Sequence, residues 1–200
     1  MIVVYNSSMG RTKEYDRRGV LNRAISVFWK KGYEATSMSE LIKETGLNSA
    51  SLYKEFRNKG GLYETALEEY RQQELEPFIR PLIDEPNMQG IETFLQGVIK
   101  NATNPDFNGC LMMNTLVEKE VVSTGAVRRV EKFCTRLETI LEGAIRGAQK
   151  SGEIPARKDP VALAHYLLCL IQGMVLYGRV EDHKPHIEAI IRTVKQTLVA

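Results

Sequence analysis

No CxxC pair, HExxH, GxSxG, GxGxxG or P-loop occurs in the 200 residues. These absences remove zinc-knuckle, zincin, serine-hydrolase, dinucleotide and nucleotide-phosphate chemistry from consideration. Cysteine is scarce: Cys110, Cys134 and Cys169 are odd in number and far apart, so no disulfide framework is indicated. Three scattered histidines supply no base-and-orienter kit for a cysteine nucleophile, and the chain is expected not to be an enzyme and to need no cofactor. Strand alternation, internal repeats and low-complexity tracts are all missing. No run approaches the roughly 18 apolar residues of a membrane span, so no membrane partner is expected. The start, MIVVYNSS, is too short and uncharged for a signal peptide. Met9 offers an alternative start, with residues 1–8 an upstream extension, and the protein reads as cytoplasmic.

What is present is ordinary for a folded chain of one or two small domains: 43% hydrophobic and 26% charged residues. The net charge of +2 is unevenly placed. Residues 1–60 carry 11 Lys and Arg against 6 Asp and Glu, whereas the remainder carries 16 against 19. A basic head on a mildly acidic body directs the head toward a polyanion.

The most informative stretch is TSMSELIKETGLNSASLYKEFRNK, residues 36–59. Ser37 followed three residues later by Glu40 is a capping-box signature. Met38, Leu41 and Ile42 then share one helical face. Gly46 ends that helix, and Asn48 or Ser49 caps a second one. Leu52 and Phe56 face inward, leaving Ala50, Ser51, Tyr53, Lys54 and Arg57 outside. Two short helices about a glycine turn make a helix-turn-helix, whose second helix enters the major groove of DNA. The alternative, a helix-turn-helix serving protein contacts, fits the basic head less well.

Around this core, residues 17–32 predict a first helix through Leu21, Ala24, Ile25 and Phe28, ended by Gly32. Trp29 and Tyr33 pack it against the next two. The preceding MGRTKEYD, residues 9–16, is either a basic arm that brings Arg11 and Lys13 to DNA or a frayed terminus. Asn58 caps a fourth helix from Lys59 to about Glu76, where Pro77 stops it. Pro77, Pro81 and Pro86 mark residues 77–88 as a boundary. Further helices are expected over 89–101, Cys110 to about Val122, 125–150, 161–177 and 184–199. The whole is all-α: a DNA-binding domain over residues 9–58 and a helical regulatory and dimerisation domain over 59–200, with helix 59–76 linking them.

The run VALAHYLLCLIQGMVLY is apolar nearly all round, and the final helix carries one stripe through Ile187, Ile190, Ile191, Val194 and Leu198. Helices 160–178 and 184–199 therefore either bury themselves against a second copy, as an isologous four-helix interface, or close the monomer's own core.

The motifs FWKKGYEATSMSEL, TGLNSASLYKEF and KGGLYETAL, from Arg17 onward, resemble the DNA-binding domain of the TetR family of bacterial transcriptional regulators. The resemblance covers roughly the first third of the chain. It implies that Thr36, Ser37, Tyr53 and Lys59 touch phosphates of double-stranded operator DNA. Ser49, Ala50, Ser51, Tyr53 and Lys54 suit the groove itself, offering hydroxyls, a small apolar contact, a ring and a cation. Two departures stand out. Glu55 occupies a position where His or Tyr is common, and phosphate would repel it unless it pairs, with Lys59 at i+4 for example. Gly60-Gly61 replaces a polar pair and is expected to loosen the fourth helix.

For the body, the resemblance implies a homodimer with a cavity for a small-molecule effector that releases the protein from its operator. Phe94, Phe107, Met112 and Met113 are candidate walls, as are Phe133, Tyr166, Met174 and Tyr177; each is otherwise ordinary core. GCLMMNTLVE is similar to a GC–L–NT–E pattern in one branch of such regulators. Cys110, at a predicted helix start, is either a thiol of lowered pKa, making the protein a redox or electrophile sensor, or a small buried hydrophobe. His183 and His186, with Glu181 and Asp182 in EDHKPH, fit a solvated turn better than a metal site. His165 reads as a core histidine.

Overall fold

Asp16 opens the first helix, α1 (Arg17–Lys31), by accepting the Arg18 amide on its carboxylate at 3.1 Å, and Gly32 ends it. The structure, a computed structural model, describes residues 15–180 and 184–200, and every regular element among them is helical. Ser37 caps α2 (Met38–Thr45), its Oγ accepting the Glu40 amide at 3.1 Å. The Glu40 carboxylate pairs with Lys31. Gly46 closes α2 at φ 71°, ψ 6°, a left-handed conformation that costs glycine nothing. Of the two candidate caps for α3 (Ser49–Phe56), Asn48 serves, accepting the Ser51 amide at 2.8 Å. Asn58 does the same for α4 (Lys59–Tyr70) through the Gly61 amide at 2.9 Å.

The chain reverses sharply between α3 and α4. Arg57 takes φ 68°, ψ −51°, and the Asn58 amide donates to the Phe56 carbonyl at 2.8 Å. This is a γ-turn, strained for a non-glycine residue by on the order of 1–3 kcal/mol. A Cβ on Gly61 would lie 2.1 Å from the Phe56 carbonyl oxygen. The glycine therefore does not loosen α4 as the sequence suggests; it lets α4 begin hard against the end of α3.

The expected stop at Pro77 is overturned. A π-helical segment, Arg71–Leu75, carries α4 into α5 (Glu76–Asp84), with Pro77 in the first turn and Pro81 inside. The Glu76 amide reaches back five residues to the Arg71 carbonyl. Widening the helix by one residue is a common way to absorb lost or displaced hydrogen bonds, here next to a residue without an N–H. Residues 77–84 are thus helix, not a linker.

The body comprises α6 (Met88–Ala102), α7 (Leu111–Val117), α8 (Thr124–Lys150), α9 (Pro160–Tyr177) and α10 (Lys184–Val199). α7 is shorter than the expected 110–122, because the chain leaves it at Glu118 for a turn ending at Ser123, which caps α8. α8 runs through the middle, burying Val130, Phe133, Leu137 and Leu141 among α4, α5, α6 and α9. α9 begins, as its Asp159-Pro160 start suggests, with the Asp159 carboxylate accepting the Val161 amide at 2.9 Å.

One open alternative about the last helices is decided and two expectations change. Ile187, Ile191, Val194 and Leu198 are at most 5% exposed, so the α10 stripe closes the monomer's own core. α9 is 18 residues long with a mean hydropathy of 1.6, long and apolar enough to cross a bilayer after all; it contains no Asp, Glu, Lys or Arg. Only 28% of it is buried. Its outer face shows Ala162, His165, Cys169, Gly173, Leu176 and Tyr177. His165 is accordingly an exposed residue, not a core one.

Polar contacts tie α1 and the turn after it to the body, and α4 to α7. The Glu118 carboxylate accepts the amides of Tyr33 and Glu34 at 2.8 and 2.9 Å, clamping the turn after α1. The Tyr63 hydroxyl shares a hydrogen with Thr115 at 2.9 Å, both fully enclosed. The Trp29 indole donates to the Gly109 carbonyl at 2.7 Å. Replacing Glu118 by Ala leaves two amides without their charged acceptor, and urea denaturation is expected to show a loss of about 1–3 kcal/mol.

Candidate nucleic-acid interface and internal cavity

Leu52 and Phe56 anchor α3 in the head core beneath Phe28, Leu41 and Leu62. Burying that side turns Ser49, Ala50, Tyr53 and Lys54 outward. Tyr53 is 46% exposed, high for an aromatic ring, and Lys54 enters no ion pair among the described residues. Ser51 is half-buried, its amide held by the Asn48 cap. Arg57 follows, exposed on the strained turn. Ser37 is exposed too, its hydroxyl 2.9 Å from that of Ser39. A short helix with polar, cationic and small apolar groups on one open side has the chemistry for a DNA groove.

Thr36 departs from the expected phosphate set. It is buried; its hydroxyl donates to the Gly32 carbonyl at 2.6 Å and its amide to the Tyr33 carbonyl at 3.2 Å. Both groups are occupied in locking the turn, so Thr36 positions Ser37 and offers nothing to phosphate. Lys59 is half-buried. Its ammonium sits 4.3 Å from the centre of the Tyr33 ring and donates to the Glu34 carbonyl at 3.2 Å. Burial lowers its pKa, against the opposing pull of Glu118 and Glu34. Glu55 does pair, but with Arg17 at 2.9 Å rather than with Lys59. The i+4 geometry is unavailable because α3 ends at Phe56 and the chain turns away. Arg11 and Lys13 of the basic arm lie outside the described residues, as do Glu181, Asp182 and His183. Among the described residues no group of three or more His, Cys, Asp or Glu could hold a metal.

A cavity of about 630 Å³ lies between α1, the π segment, α6, α8 and α9. Of the candidate walls, Phe94, Phe107, Met113 and Phe133 line it. The other four do not. Met112 and Met174 are core residues at most 1% exposed, and Tyr166 packs against the core elsewhere. Tyr177 points outward, its hydroxyl 3.1 Å from His186 Nδ1. Period alone could not separate these, since α9 is apolar on every side.

The sequence reading missed Trp29, Tyr70 and Cys134 as cavity walls. Trp29 belongs to α1, so an element of the head forms part of a chamber in the body. Its ring meets Tyr70 and Phe107 edge-on at 5.4 and 6.0 Å. Only the spacing from Phe28, which places Trp29 on the flank of the buried face, hinted at this. Cys110 also lines the cavity. The amides of Met112 and Met113 and the Tyr70 hydroxyl favour its thiolate, yet burial outweighs them and the thiol pKa is raised. The expectation of a lowered pKa is therefore overturned. Burial likewise raises the Cys134 thiol.

Comparison with known proteins agrees with this architecture. Residues 20–66 match "Bacterial regulatory proteins, tetR family", and residues 88–194 match "Tetracyclin repressor-like, C-terminal domain". The HTH-type transcriptional repressor ComR of Escherichia coli (strain K12) is 31% identical over 175 residues, 86% of this chain and 83% of ComR. The regulator YezE of Bacillus subtilis (strain 168) is 28% identical over 163 residues, 80% of this chain and 84% of YezE. Among solved structures, the TetR family regulator CifR, a cysteine mutant complexed with 26-bp operator DNA, has a TM-score of 0.79. It is 24% identical, and the match covers 93% of this chain and 98% of that one, which speaks to the fold. The open face of α3, the all-helical body and both family matches lead to one conclusion: the chain belongs to the TetR family of bacterial transcriptional regulators.

Proposed function

We propose that the protein is a homodimeric, cytoplasmic repressor that binds a near-palindromic operator through α3 and leaves it when a small molecule fills the cavity. The observation that carries this reading is the double position of Trp29, which sits on α1 of the head and in the wall of the cavity. A ligand pressing on its ring bears directly on the helix that supports α3. Thermodynamically, the ligand needs only to favour the DNA-incompetent arrangement by about 1–3 kcal/mol.

Contacts divide by chemistry. Ser37 and Lys59 suit phosphates, while Ser49, Ala50, Ser51, Tyr53 and Lys54 suit the groove. Arg57 adds a further exposed cation. The second copy docks on the outer face of α9, where Leu176 is 65% exposed and small residues Ala162 and Gly173 permit close helix approach. α10 contributes Ala189 and Thr193 from its outer side. A sensor built on Cys110 is the second reading, favoured by the thiol's place in the cavity wall and opposed by its raised pKa.

In gel shifts at fixed salt on the intergenic duplex beside its own gene, Tyr53→Ala and Lys54→Ala are each expected to weaken binding by about 1–3 kcal/mol; wild-type affinity in both would remove α3 from the interface. Lys54→Ala should also flatten the dependence of log K on log salt if the ammonium meets phosphate. Leu176→Glu is expected to shift the sedimenting species from dimer to monomer, and a dimer unaffected by it would place the interface elsewhere. Cys110→Ser should leave release by N-ethylmaleimide unchanged if ligand binding is non-covalent; loss of that release would favour the thiol sensor.

A further inference from the structure

The cavity wall is charged in one sense only. Among the described residues it includes the carboxylates of Glu74 and Asp106 and not one Lys, Arg or His. The nearest guanidinium along the chain is already engaged, since Arg71 binds Glu68 and Glu76. Arg136, on α8, is likewise held by Glu76. Neither Glu74 nor Asp106 takes part in an ion pair among the described residues, and both stand exposed at the rim. The interior behind them is aromatic: Trp29, Tyr70, Phe78, Phe94, Phe107 and Phe133. Asn101 and Gln172 add neutral hydrogen-bonding groups.

From this inventory we infer that the cavity takes an organic cation with a flat aromatic body, and refuses carboxylates and phosphates of the same shape. The inference rests on reading the cavity as the effector site. Ring faces carry negative potential, which attracts an ammonium or iminium group. The two rim carboxylates add to that attraction and stay solvated until a ligand arrives. An anion would have to shed water among these rings with no cation to receive it, which is the costly case for a buried charge. The volume suits a ligand of two or three fused rings.

A matched trio tests the charge preference on the full chain without DNA: 2-naphthylmethylamine, protonated at neutral pH, 2-naphthylmethanol and 2-naphthoate. Affinities come from titration calorimetry. Trp29 is the chain's single tryptophan, so its indole N–H proton resonance reports whether each probe enters the cavity. The amine should bind about tenfold tighter than the alcohol and shift the indole resonance, with the naphthoate weakest of the three. Glu74→Gln combined with Asp106→Asn should bring the amine down to the affinity of the alcohol. Naphthoate binding as tightly as the amine, or an amine preference that survives in the double variant, overturns the charge assignment alone. Failure of all three probes to shift the indole resonance at millimolar concentration overturns it together with the effector-site reading beneath it.

Discussion

A single hydrogen bond, from the Trp29 indole to the Gly109 carbonyl, joins the end of α1 to the loop that frames the cavity. Much of the architecture can be seen as arranged around that contact. Trp29 reaches it because α1 packs lengthwise along α4, and α4 is the start of a rod that continues through the π segment into the body. Phe28, one residue earlier, meets Tyr63 on α4 edge-on at 4.7 Å and holds the helix pair in register. With Phe28 committed inward to the head, its neighbour is turned toward the cavity. The same helix thus carries packing for one domain and a wall for the other.

The Glu118 clamp works alongside it. Its carboxylate holds the backbone of the turn that leads into α2, and the Lys59 ammonium lies across Tyr33 on that turn. Thr36 ties the turn to Gly32 from within. A displacement of Gly109 or Glu118 in the body would therefore arrive at the base of the helix-turn-helix through hydrogen bonds, not through a flexible linker.

The helix-turn-helix was legible from residue types because its signals are local. Ser37, Gly46, Asn48 and Asn58 act within three or four residues of themselves, and each cap appears where the chain chemistry placed it. Where the reading failed, a partner distant in sequence decided the outcome. Glu55 could not be matched to Arg17, 38 residues away, and Thr36 could not be known to turn inward. Pro77 looked like a stop because the π-helical widening that accommodates it leaves no mark in composition.

The sequence by itself determined an all-helical chain, the starts of α2 and α4 at Ser37 and Asn58, the glycine stop of α2, and a basic head with one short helix turned outward. These follow from periodicity and capping, which depend on near neighbours. Only the tertiary structure decided which apolar residues surround empty space and which fill the core. It set Phe94 and Phe133 at a wall but Met112 and Met174 in the interior, and it raised the pKa of a thiol that helix position alone would lower. Burial and desolvation are properties of how several helices stack, and no single stretch of chain encodes them.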